Sequence, residues 1–183
     1  MSRETAESPG TRQLLKRHGL SHFIQHICQL LYDSQFGTYI RESDYAFSII
    51  ESIHVLAITL LVGTIALLDL RMLGVVLRGV SVTRIARTVF PLTWSGFAIM
   101  FVSGFLLFWA EAAKNYGNPA FRIKLVLLLL VGLNPLIFHT TIYQRVHEWE
   151  LLELSPWRAR AAAIASLSLW SGIIVAGRMI AYF

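Results

Sequence analysis

The sequence predicts an all-α integral membrane protein: an up-down four-helix transmembrane bundle preceded by an amphipathic interfacial helix. Three observations predict it. The 183-residue chain is 55% hydrophobic and only 15% charged, and its mean hydropathy of +0.58 is too high for a soluble domain of this size. Apolar runs at about 45–68, 89–110, 121–142 and 161–182 each approach the roughly 20 residues needed to cross the hydrocarbon slab. None of these runs alternates with the period-2 pattern of a barrel strand, so helices are the remaining way to satisfy the backbone inside lipid.

Residues 1–10, MSRETAESPG, are small and polar, cannot bury a core, and are expected to form a disordered tail. Residues 11–44 are read as the interfacial segment. Apolar residues recur at helical spacing (Leu14, Leu15, Phe23, Ile27, Leu30, Leu31), but Lys16, Arg17, His22, Gln25, His26 and Gln29 interrupt them. The same interruptions exclude the unbroken apolar stretch of a cleavable signal peptide. Residues 45–183 then form the bundle. Its connections carry turn signals: Gly117, Asn118 and Pro119 in one, Pro156 in another.

An even number of spans places both termini on one side. Arg71, Arg78, Arg84, Arg87, Arg145, Arg158 and Arg160 cluster on the opposite, loop side, which positive-inside reasoning puts in the cytoplasm, leaving the termini outside. The net charge of +5 is thereby explained by membrane topology. It does not form the basic stripe with interleaved aromatics that nucleic acid requires. The expected partners are the lipid bilayer itself and a further membrane subunit or a second copy of the chain. Cys28 is the single cysteine, which excludes an intramolecular disulfide and any cysteine-built metal site.

Chemistry is sought among polar residues at membrane depth, because each is expensive there and needs a partner or a purpose. Glu51 and His54 are three residues apart on one face of the first span, and Asp69 lies five turns from Glu51 on the same azimuth. Between them Ile58, Val62 and Ile65 make a dry stripe. The third span carries Lys124 near the terminal side and Asn134 and His139 toward the loop side. If the first and third spans are adjacent, Lys124 meets Glu51 and His54, while Asn134 and His139 meet Asp69 and Arg71. Removing Lys124 would then strand Glu51 and destabilise the bundle by roughly 3 kcal/mol or more.

Two cofactor readings are open. Haem b could be held by His54 with His22 or His26, which lie four apart on the interfacial helix. His139 cannot share that iron, being about 13 residues away in depth, or roughly 20 Å at the helical rise. A divalent metal could sit on Glu51, His54 and one interfacial His, although the second Glu-x-x-His pair of a di-iron bundle is missing and Lys124 would repel a cation. No nucleophile elbow, triad or phosphate-cradling glycine loop points to an enzyme. The competing reading is that Glu51, His54, Lys124, Asp69, Arg71, Asn134 and His139 only fix helix pairing. Small residues support close packing: Ser168, Gly172 and Ala176 in the last span, Gly96 and Gly104 in the second. Trp94, Trp109, Tyr116, Trp157 and Tyr182 fall where aromatic rings anchor spans at the membrane surface.

From about Leu20 onward the runs IRESDYAFSIIESIHVLAITLLVGTIALLDLRMLG, GFAIMFVSGFLLFWAEA and YGNPAFRIKLVLLLLVGLNPLIFH carry a resemblance. They resemble an uncharacterised bacterial domain-of-unknown-function family of four-span membrane proteins. The carrying set is Arg41-Glu42, Glu51 with His54, Asp69-Leu70-Arg71, Asn118-Pro119 with Phe121 and Lys124, then Asn134 and His139. The resemblance implies a multi-pass protein of the bacterial inner membrane and brings no activity. More distantly, a His in the first span of a small bundle is similar to copper-resistance D-type and haem-binding membrane domains. Reporter fusions at Met1 and at Phe183 should give the same topological signal; opposite signals would exclude an even number of spans.

Overall fold

The computed structural model describes residues 22–43, 45–141, 144, 146–149 and 155–182. The expected tail at 1–10 and the beginning of the interfacial segment lie outside the described residues. Two short helices, α1 over residues 22–32 and α2 over Gln35–Glu42, precede four long ones. These are α3 (Ala46–Met72), α4 (Val82–Ala110), α6 (Pro119–Thr141) and α8 (Trp157–Met179). The six-residue α5 (Ala112–Gly117) and the four-residue α7 (Val146–Trp149) lie in the last two connections, and a 3-10 turn, Ile180–Tyr182, closes α8. All four long helices are long and apolar enough to cross a membrane. The protein is a multi-pass, all-helical membrane bundle.

The segment expected as one interfacial helix is broken at Ser34. Its hydroxyl donates to the Leu31 carbonyl at 2.6 Å and accepts from Gly37 N at 3.1 Å. One side chain thus ends α1 and caps α2. Gly37 is required there, since a Cβ would stand 2.7 Å from the Leu31 carbonyl oxygen. Ser34 also accepts from Trp109 Nε1 at 2.9 Å, and Phe36 meets the Trp109 ring edge-on at 5.4 Å. Trp109 is therefore a docking point for α2 as well as an aromatic of the membrane surface. Arg41 completes the join. Its guanidinium donates to the Ala110 carbonyl at the end of α4 (3.0 Å) and to the Tyr32 carbonyl (3.1 Å), and it stacks 3.8 Å over the Tyr32 ring. The cation sits where the α4 dipole is negative. Cys28 is buried in α1, and burial pushes its thiol up.

Several helices extend beyond the expected spans. Ser81 caps α4 by accepting from Arg84 N at 3.3 Å. The first two turns then bury Val82, Ile85, Ala86 and Val89 while Arg84 and Arg87 stay exposed. That is an amphipathic extension on the loop side rather than part of the apolar run. The connection before it wraps around Arg71, which is 0% exposed and donates from Nε to the Val80 carbonyl at 2.8 Å. Gly74 and Leu77 take positive φ values of 72° and 52° to turn the chain.

Helix α3 packs along α4 and also against α8, and α6 packs against α8. The closest approach is at Gly96, where a Cβ would lie 3.1 Å from Leu61 N and 3.3 Å from the Ala57 carbonyl. The hydroxyls of Thr93 and Thr64 join the same pair at 2.9 Å. Helix α8 buries a stripe of Ala159, Ala163, Ser166, Trp170, Ile173 and Ala176, the spacing of a coiled-coil seam. Gly172 receives Leu127 of α6 beside that seam, whereas Ser168 is exposed.

Two apolar cores result. A midplane core holds Leu61, Val131, Trp170 and Ile173, with Val62 and Ile65 packed against it. A loop-side core holds Met72, Val82, Val146, Trp149, Ala159 and Ala163. Gly96→Leu should force α3 and α4 apart and lower stability by roughly 1–3 kcal/mol, read as an earlier thermal transition in detergent. Gly63→Leu is the control, because nothing lies within 4 Å of that position.

Candidate functional site

The polar side chains inside the bundle fall into two layers, one on each side of the midplane core. On the terminal side the organising residue is His54, half-buried on α3. Its Nδ1 lies 2.9 Å from Ser103 Oγ on α4. Ser103 already donates its own proton to the Ile99 carbonyl at 2.6 Å, so it can only accept from His54. This network assigns the proton to Nδ1 and leaves the lone pair on Nε2. Gly104 admits the ring, since a Cβ there would stand 2.9 Å from Cε1.

Lys124 of α6 shares this level and acts on His54 electrostatically. Its side chain runs past Gly177 of α8, with Nζ 3.6 Å from where a Cβ would be. The structure does not bring Glu51 to it. Glu51 is exposed, and among the described residues it has no ion pair or hydrogen bond. His22 and His26 are likewise exposed on α1. Glu51 shares an azimuth with buried Asp69, yet their surroundings differ. The cover that α8 provides at the Asp69 level is missing at the Glu51 level.

On the loop side Asp69 is 4% exposed, and its carboxyl stands beside the buried Ser166 side chain of α8. Asn134 of α6 donates from Nδ2 to the Ala162 carbonyl at 3.1 Å, one turn from Ser166. The matched-depth expectation had Asp69 and Asn134 meeting directly. Here α8 lies between their helices and receives both. Neither α3 and α6 nor α4 and α6 form an extended contact; the last two touch through stacked rings such as Phe108 and Phe121, 5.5 Å apart. His139 is exposed on α6. Sequence reasoning gave Ser103 and Ser166 no role, because a serine in an apolar run carries little signal until its partner helix is known.

Among the described residues no three His, Cys, Asp or Glu side chains gather as metal ligands. Asn118, one of the residues that carry the family resemblance, has a structural task. Its Oδ1 caps α6 through Ala120 N (2.9 Å) and Phe121 N (3.3 Å), and its Nδ2 donates to the Ile180 carbonyl at 3.0 Å, tying the two hairpin ends together.

With no carboxylate on Lys124 among the described residues, the destabilisation expected from removing it reverses. Lys124→Met should melt at the same temperature as the parent or higher, whereas Ser103→Ala should lose roughly 0.6–1.7 kcal/mol, the range for an interhelical hydrogen bond in lipid. Thermal unfolding of both variants in one detergent checks the pair, and a Lys124→Met protein markedly less stable than the parent would reveal an ion pair.

No curated protein sequence and no solved structure matches the chain. Residues 33–183 match a family defined by sequence, the family of unknown function DUF6644. The match takes in α2, every span and both polar layers, and the chain belongs to that family.

Proposed function

We propose that the protein is a non-catalytic, accessory subunit of the bacterial inner membrane, with both termini outside, whose intramembrane polar side chains decide which helix pairs with which. One observation carries this reading: His54, Thr93 and Asn134 each reach a polar atom on the neighbouring helix. Inside lipid such bonds have no competing water, so they select partners even where each contributes little stability.

A second reading is favoured by the direction of the His54 network. With Nδ1 held by α4, Nε2 is an oriented nitrogen with a lone pair of the kind that ligates iron or another metal. Haem b would offer iron to Nε2 and carboxylates to Lys124. A bare divalent cation would instead meet the charge of Lys124, and the exposed Glu51, His22 and His26 stand apart from the ring.

An absorbance spectrum with metal analysis on detergent-purified protein separates the two readings. The accessory reading expects no Soret band, no stoichiometric metal, and a His54→Ala variant that is less stable but spectrally unchanged. A Soret band or bound metal that disappears in His54→Ala and survives in His139→Ala would overturn it in favour of the cofactor.

A further inference from the structure

Pairing of helices accounts for His54, Thr93 and Asn134 but not for Asp69. This carboxyl lies between the two apolar cores. Toward the midplane stand Leu61, Val131 and Trp170, and toward the loop side stand Met72, Val82 and Ala163. Ser166 stands beside the carboxyl, yet Oδ2 is buried and has no hydrogen-bond partner among the described residues. A packing role gives no reason for the leftover oxygen. An asparagine or a serine would bridge to Ser166 without placing an ionisable group in a dry layer, where an uncompensated charge is far more expensive than a neutral amide.

Among the described residues the surroundings supply oxygen and no basic group fixed beside the carboxyl. The Ala162 carbonyl of α8 lies one turn from Ser166 and accepts from Asn134 Nδ2 of α6, so α3 and α8 supply the oxygen at this level. Carboxylate, hydroxyl and carbonyl oxygens are the donors that hard, weakly polarisable cations take. Arg71, on the same helix, points into the following connection and bonds the Val80 carbonyl. Among the described residues the other basic groups around this end are exposed: Arg78 in the connection, Arg84 and Arg87 on α4, Arg158 and Arg160 on α8, His139 on α6 and His147 on α7.

We propose that Asp69 and Ser166 form a monovalent-cation site in which the Asp69 carboxyl reversibly holds a proton or a sodium ion. The site is occluded. The midplane core closes it from the terminal side, and the loop-side core, with Val146 and Trp149 of α7, closes it from the other. Asp69 is only three residues from the end of α3 at Met72, roughly 4.5 Å of helical rise. Exchange therefore runs through the loop-side core. This lies at a different level from His54 and stands whether or not a cofactor is found there.

The test uses full-length protein in detergent and dicyclohexylcarbodiimide, an apolar reagent. It takes the proton of a buried carboxylic acid onto its own nitrogen, bonds the carboxyl oxygen and rearranges to a stable N-acylurea. Peptide mass spectrometry should find the adduct on Asp69, and Asp69→Asn should lose it. Sodium chloride protecting Asp69 where potassium chloride of equal ionic strength does not identifies the ion as sodium. Labelling that is indifferent to sodium but disappears as pH rises identifies it as the proton. The parent's melting temperature should follow the same variable and that of Asp69→Asn should not. Should Asp69→Asn fail to insert, Ser166→Ala keeps the carboxyl and should shift the sodium or pH dependence. Absence of label on Asp69 at every pH and salt, with parent and variants melting in parallel, overturns the proposal.

Discussion

A polar side chain at membrane depth has no water to turn to, and this constraint organises the bundle. A serine or threonine hydroxyl can return to a carbonyl of its own helix, but a polar group that pairs across helices ties two of them together, so the position of such residues shapes the order in which the helices pack. The last span is where most of this is settled. Helix α8 places Ser166 beside Asp69 of α3 and offers the Ala162 carbonyl to Asn134 of α6, and its glycines let α6 side chains come close. Between these contacts runs the midplane core of Leu61, Val131, Trp170 and Ile173, whose packing is what a helix gains in lipid in place of a hydrophobic effect.

The pairing of α3 with α4 works by a different device. Gly96 lets the backbones touch near Leu61 and Ala57, and on either side of that point a polar pair fixes the register: Thr64 with Thr93 toward the loop side and His54 with Ser103 toward the terminal side. Close approach and hydrogen bonding reinforce each other here. A bulkier residue at the crossing would pull His54 from Ser103 as well as creating a gap. At the terminal end, Arg41 and Ser34 extend the same logic to the short helices by bonding Ala110 and Trp109.

The separation of the two polar layers bears on what the protein can do. A dry midplane between His54 and Asp69 blocks a continuous aqueous path in this conformation. A proton or ion held at one level cannot pass to the other without a change in helix packing. The half-buried His54 and Lys124 stand near the terminal surface, while Asp69 is enclosed by apolar side chains above and below.

The amino-acid sequence alone determined the class of structure. Four long apolar runs leave helices as the only way to satisfy the backbone, and an even count of spans places the ends together; neither statement needs a partner to be known. It also marked most of the residues with polar tasks, including His54, Asp69, Lys124 and Asn134, because polarity at membrane depth is visible in one dimension. Tertiary structure decided which of them meet. Helical periodicity gives the azimuth of a side chain and not what covers it, so Glu51 and Asp69 share a direction while one is exposed and the other buried. Depth matched Asn134 to Asp69, but only the packing order put α8 between their helices. Ser34, Ser103 and Ser166 were silent in the sequence for the same reason: a hydroxyl acquires a role only when a second helix brings it a donor or an acceptor.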